Sequence, residues 1–283
     1  MVIVIDVILD GLIDTLKIIP YLFIAFLLLE YIEHKISNKD KKILSKNNKF
    51  GPLLGSLLGG LPQCGFSAIG ANLYSRRVIT VGTLIAIFLS TSDEMLPIMI
   101  SQSVPLIEIL KIIGIKVLVG IIFGYIIDLL LNGRKELKPS EIHKMCDEEH
   151  CHCEKDGILK SSIKHTLNIV LFILIVNLGI NILIYFIGEE TLSNFLNQGS
   201  VLSYFVASLV GLIPNCASSV IITQVYLLKL ISFGTLLSGL LTGSGIGILL
   251  LFKTNNNIKD NIRIVLTIYL IGVLIGALAD LII

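Results

Sequence analysis

Long apolar runs alternate with short polar stretches along the whole chain. Eight runs are legible, near residues 11–32, 52–75, 78–101, 106–131, 164–187, 200–227, 230–252 and 262–283. Each approaches the ~20 residues that a helix needs to cross a bilayer. Two polar connectors break the rhythm. His34–Phe50 carries six lysines, and Asn132–Ser162 is rich in both charge signs. The pattern predicts an all-α polytopic membrane protein.

The runs are not independent. Gly59-Gly60-Leu61-Pro62-Gln63-Cys64-Gly65-Phe66-Ser67 returns as Gly211-Leu212-Ile213-Pro214-Asn215-Cys216-Ala217-Ser218-Ser219. At the same offset Tyr74 meets Tyr226, Gly82-Thr83-Leu84 meets Gly234-Thr235-Leu236, and Ser92 meets Ser244. With one residue of slippage, Asp14-Thr15-Leu16 aligns with His165-Thr166-Leu167. A Pro-polar-Cys core followed by Gly-Thr-Leu at a fixed distance marks an internal duplication. The predicted organisation is a first membrane repeat over 1–133, a cytoplasmic Cys/His-rich linker over 134–162 and a second membrane repeat over 163–283.

Charge orients the repeats, because Lys and Arg in short loops mark the cytoplasmic side. If every run crosses fully, the lysine connector and the linker fall on opposite sides. If 52–75 and 200–227 instead enter and leave on one face, the basic stretches 34–50, Arg76-Arg77, the linker and Lys253–Arg263 all become cytoplasmic. Only Lys229 is then misplaced. Three crossings per half invert the second half relative to the first. The expected fold is therefore two inverted repeats with broken or re-entrant helices, with a site near the bilayer midplane. Pro62 and Pro214 supply the helix breaks.

Composition sharpens this picture. The chain of 283 residues is 54% hydrophobic and 15% charged, with a mean hydropathy of +0.88. Soluble domains carry about 25% charged residues, so a soluble enzyme is excluded. The net charge of +1 gives no footing for nucleic acid. Tryptophan is absent, which leaves Tyr and Phe for any interfacial belt. The N-terminus, with Asp6, Asp10 and Asp14, lacks the basic start of a signal peptide. An odd count of five cysteines, with Cys146, Cys151 and Cys153 close together, argues for free thiols or metal ligands rather than a disulfide framework.

Three groups of residues could carry chemistry. Ser92, Asp93 and Glu94 lie inside the apolar run 82–100. An acid at the centre of a spanning helix costs about 2.5–3.5 kcal/mol, so a pair there needs a partner, a cation or water. The blander reading places this stretch at a solvated interface. The turn residues Gln63, Cys64, Ser67, Asn215, Cys216, Ser218 and Ser219 would converge if a pseudo-twofold axis relates the repeats. Their thiols, amides and hydroxyls suit a soft or borderline metal or a metalloid, although a buried Cys alone is usually a small hydrophobe. In the linker, His143, Cys146, His150, Cys151, His152 and Cys153 form a metal-contacting cluster whose spacing fits no structural zinc finger. The blander reading of this stretch is a solvated charged linker. The glycine-rich run Leu241–Gly247 replaces the acids in the second half and reads as a place of close backbone approach. It is not a phosphate loop, because no Walker lysine follows.

Gly60–Ser67, Phe88–Glu94, His150-Cys151-His152-Cys153 and His165-Thr166 resemble the signature stretches of a bacterial membrane family labelled ten-span heavy-metal exporters. Its members are called arsenic-efflux or manganese transporters, and the resemblance covers essentially the whole chain. It implies secondary-active export of a metal or metalloid across the inner (plasma) membrane by a multi-pass protein. No cofactor is expected beyond the transported ion. The expected partners are membrane lipid and the ion, with a homo-oligomer left open and nucleic acid excluded. Two rivals stand beside this reading. One is a permease for an organic or anionic solute, against which the scarcity of fixed positive charges in the spans argues mildly. The other is a membrane metal sensor or scaffold. Neither His-Glu-x-x-His nor Gly-x-Ser-x-Gly is present, so an intramembrane enzyme is not expected.

Overall fold

The computed structural model describes residues 50–61, 64–92, 95–131 and 201–282, with isolated positions between 16 and 27 and between 163 and 179. These residues form helices and no strands. The first group is α1 (Gly51–Gly59), α2 (Cys64–Ser75), α3 (Val81–Ser90), α4 (Met95–Ser101) and α5 (Leu106–Leu130). The second is α6 (Leu202–Gly211), α7 (Cys216–Leu227), α8 (Phe233–Thr242), α9 (Gly247–Thr254) and α10 (Ile258–Ile282). Four of the apolar runs are thus pairs of shorter helices, and two are single 25-residue helices. Val81–Ser101, Phe233–Thr254 and Ile258–Ile282 are long and apolar enough to cross a membrane.

The second group repeats the first with an offset of 152 residues (Cys64 to Cys216). The bounds of α2, α3 and α5 recur without slippage in α7, α8 and α10. The local causes recur as well. Thr80 caps α3 by accepting from the Thr83 amide, and Ser232 caps α8 by accepting from the Thr235 amide, each at 3.1 Å. α2 and α7 both end in a left-handed residue, Arg77 (φ 58°) and Lys229 (φ 59°). At each end one amide reaches back five residues, Val78 to Leu73 and Leu230 to Val225. This is the paired-bond C-terminal cap that satisfies the last carbonyls.

Small polar side chains join the helices within each group. Ser56 donates to the Val117 carbonyl at 2.7 Å, Ser238 to Gly272 at 2.9 Å and Thr242 to Ser208 at 2.9 Å. Hydroxyls of this kind hold helices together where lipid supplies no hydrophobic drive. At one end of the molecule Asp128 accepts from the Thr80 hydroxyl (2.6 Å) and the Gly82 amide (2.8 Å), fastening the end of α5 to the start of α3. The counterpart Asp280 accepts from the Gly234 amide (2.6 Å), from Tyr204 (2.8 Å) and from Ser232.

Contacts between the groups are reciprocal. α2 packs on α9, α7 packs on α4, and α3 meets α8. The Ser75 and Thr254 hydroxyls lie 2.6 Å apart. Tyr74 donates to Asp260 at 2.5 Å, and Arg77 pairs with Asp260 at 3.6 Å. Outward-facing residues are apolar. Ile262, Leu266, Leu270, Leu274 and Leu278 are exposed on α10, as are Leu118, Ile122 and Ile126 on α5. Exposure of this kind suits lipid, not water.

Candidate functional site

Both broken runs open in the protein interior. α3 ends at Ser90, and Thr91 (φ −53°, ψ 124°) leaves the helical path. α8 ends at Thr242, and Gly245 takes a positive φ of 52° before α9 begins. That geometry favours glycine, which explains one member of the glycine-rich run. Both breaks are buried: Ser90, Thr91 and Ser92 in the first, Thr242, Ser244 and Ile246 in the second. A helix end leaves its last carbonyls without intrahelical donors. In the second break the Ser244 amide bonds Thr242 instead of Leu240, so the Leu240 carbonyl is released.

Lys116, at the middle of α5, bonds one carbonyl at each break. It is 1% exposed. Its Nζ donates to the carbonyl of Thr91 and, at 2.8 Å, to that of Leu240. One ammonium therefore joins the broken run of the first group to that of the second. Its position 152 residues on is Ile268, which is buried and apolar. Sequence reasoning missed Lys116. The available signal was a lysine centred in a 25-residue apolar helix, where ionisable residues are rare and functional by default.

The pairs α1–α2 and α6–α7, each a helical hairpin, reach across to the opposite group's break. A Cβ placed on Gly247, the first residue of α9, would lie 2.8 Å from both the Ser67 side chain and the Phe88 ring. Ser67 of α2, which is fully buried, thus sits against the start of α9 at the second group's break. The counterpart Ser219 is buried on α7, which packs against α4 beyond the first group's break. Asn215 is buried and caps α7 by accepting from the Ala217 amide at 3.4 Å. Ser92 is buried and donates to the Ser90 carbonyl at 3.2 Å. Cys64 and Cys216 are the first residues of α2 and α7, at matching places, and their side chains lie outside the described set. Gln63, Asp93, Glu94 and the linker cluster His143, Cys146, His150, Cys151, His152 and Cys153 also lie outside the described residues.

Among the described residues no three His, Cys, Asp or Glu side chains gather into a metal-ligating group. One hydroxyl at the breaks stands out: Ser244 Oγ is fully buried and has no hydrogen-bond partner. Buried polar atoms are nearly always satisfied, so an orphan at a helix break calls for a ligand or water. An apolar crevice of about 280 Å³ lined by Leu209, Phe252 and Leu266 offers no polar group and is no ion site.

Comparison with known proteins agrees with these features. A family model described as "Putative, 10TM heavy-metal exporter" matches residues 2–189. Neither a curated protein nor a solved structure matches the chain. With two thirds of its length matched, this helical membrane protein belongs to the family that bears that description.

Proposed function

We propose that the chain is a secondary-active exporter of a metal or metalloid ion, built from two inverted repeats (1–133 and 163–283) joined by a cytoplasmic linker (134–162). The observation that carries this reading is the meeting of two helix breaks in the interior, each faced by a hairpin of the other repeat. Inversion is supported by the end contacts. α5 runs from Lys111, which lies 5.1 Å from the Phe233 ring, to Asp128 beside Gly82. α10 runs from Asp260 beside Tyr74 to Asp280 beside Gly234, the opposite way. The hairpin α1–α2 is re-entrant in this account. Pro52 lies near Gly124 beside Asp128, and Ser75 lies five residues before the cap of α3. Both outer ends of the hairpin thus share one end of the molecule.

That end carries Arg76, Arg77, Lys253, Lys259 and Arg263. It is cytoplasmic by the positive-inside rule in a multi-pass plasma-membrane protein. Buried hydroxyls, amides and the thiols of Cys64 and Cys216 line the ion's path. Asp93 and Glu94 supply its negative charge, and the Cys/His linker captures the ion from the cytoplasm. Thiols favour trivalent arsenic, zinc or cadmium, and the carboxylates suit manganese. Rocking of one repeat against the other alternates access. No nucleotide-binding motif is present in the sequence, so an ion gradient is the energy source.

Cells expressing the wild type should tolerate and exclude at least one of arsenite, zinc, cadmium or manganese. The Asp93→Asn/Glu94→Gln variant should lose that tolerance at unchanged protein level, and full tolerance would overturn the role given to the acids. Deletion of 143–153 should only weaken export. If that deletion abolishes the response while Cys64→Ser and Cys216→Ser leave it intact, the chain is a metal sensor instead.

A further inference from the structure

Lys116 lies where a free cation would be expected in a transporter with broken helices. Half-helix C-terminal ends present unsatisfied carbonyls and the negative pole of the helix dipole. Such ends coordinate small cations at the centre of inverted-repeat transporters. Here the C-terminal ends of α3 and α8 meet, and the carbonyls of Thr91 and Leu240 converge on one point. That point holds the Lys116 ammonium. The helices α1, α3, α4 and α8, which pack on α5, carry no ionisable side chain. On α5 itself Glu108 and Lys111 lie toward one end and Asp128 toward the other. Asp93 and Glu94 lie outside the described residues.

We infer that Lys116 is a tethered cation that fills a built monovalent-cation site between the two breaks and clasps the repeats together. A carbonyl-lined point at two negative helix poles needs positive charge to be stable. A lysine stem reaching in from α5 supplies that charge without drawing an ion from solution. The internal duplication explains why one clasp suffices. The counterpart Ile268 provides packing alone, so the site at the pseudo-symmetric junction is filled from one side. The wild-type protein therefore neither binds nor requires sodium or potassium at this junction. Removing the ammonium leaves a vacancy that a small cation can occupy.

Thermal unfolding of the purified full chain in detergent tests this without reference to the transported ion, so failure here and failure of the exporter reading are separable. Wild type, Lys116→Ala and Lys116→Met are compared in choline chloride and in sodium, potassium or methylammonium chloride at one ionic strength. The wild-type midpoint should not depend on which cation is present. Lys116→Ala should unfold at lower temperature in choline and recover saturably, by roughly 5 °C, with sodium or methylammonium. Lys116→Met, whose stem still fills the space, should be destabilised without recovery. The inference is overturned if Lys116→Ala matches the wild type in choline, or if no cation restores it. If the variants cannot be purified, a saturable sodium or potassium stabilisation of the wild type overturns it, and cation indifference upholds it.

Discussion

The Ser75 and Thr254 hydroxyls, 179 residues apart in sequence, lie 2.6 Å apart at one end of the molecule. They join the outer end of the first hairpin to the outer end of the second broken run. At the inner end of the same pair of helices, Ser67 meets Gly247. α2 and α9 therefore run side by side in the same direction along their whole length. Each hairpin is a wall of the other group's break, so any change in access has to move this contact.

Gly247→Ala tests that wall. Its Cβ would lie 2.8 Å from Phe88 and from Ser67, both buried, with little room to give. Export should fall at least tenfold while the protein remains in the membrane. Gly114→Ala, with open space around its Cβ, is the control and should be neutral. Metal efflux from loaded cells reads both.

The aspartates Asp128 and Asp280 are predicted to be structural. Each carboxyl accepts from an amide and a hydroxyl at the start of a helix, and hydrogen bonds contribute about 0.5–1.5 kcal/mol apiece. Asp128→Ala and Asp280→Ala should each lower the unfolding midpoint in detergent by roughly 5 °C. The two sites lie at opposite ends, so the double variant should show the sum.

Ser244→Ala separates a ligand from a structural hydroxyl. The unpartnered Oγ contributes nothing to stability, so the midpoint should hold steady or rise slightly. If the hydroxyl meets the ion, KM for export should rise several-fold with little change in kcat. An unchanged KM would remove Ser244 from the path.

The proposed inversion makes its own prediction about the two membrane sides. In a cysteine-free background, Lys229→Cys should react with an impermeant maleimide in intact cells. Arg77→Cys should react only after permeabilisation. These two residues occupy equivalent left-handed caps, so reaction on one and the same side would contradict inversion.

Much of this was legible in the sequence because the duplication was. Pro62 and Pro214, read as helix breaks, follow the ends of α1 and α6 by three residues, and the Gly-Thr-Leu pair, read only as a mark of the duplication, falls in the first turn of α3 and α8. The Leu241–Gly247 run was read as a place of close backbone approach, and Gly247 packs on Ser67 and Phe88. Lys116 was not found, because hydropathy averaged over a 25-residue helix hides one lysine and gives no partner. Carbonyls released by two breaks far apart in sequence attract it, and only the folded chain brings them together. Asp128 and Asp280 were passed over for a related reason. Near a helix end an acid looks solvated, and its role depends on glycine amides 46 residues away. The exchange of hairpins between groups leaves no trace in a repeat, since an offset records kinship and not contact.

Metal or metalloid transport by this protein is tested most directly by flux into proteoliposomes of the purified protein, scanning trivalent arsenic, zinc, cadmium and manganese with and without a pH gradient. Gradient-driven movement of at least one of these ions is expected, lost in Asp93→Asn and in Cys64→Ser. Absence of flux for every ion, with metal held only at the 143–153 linker, would contradict it.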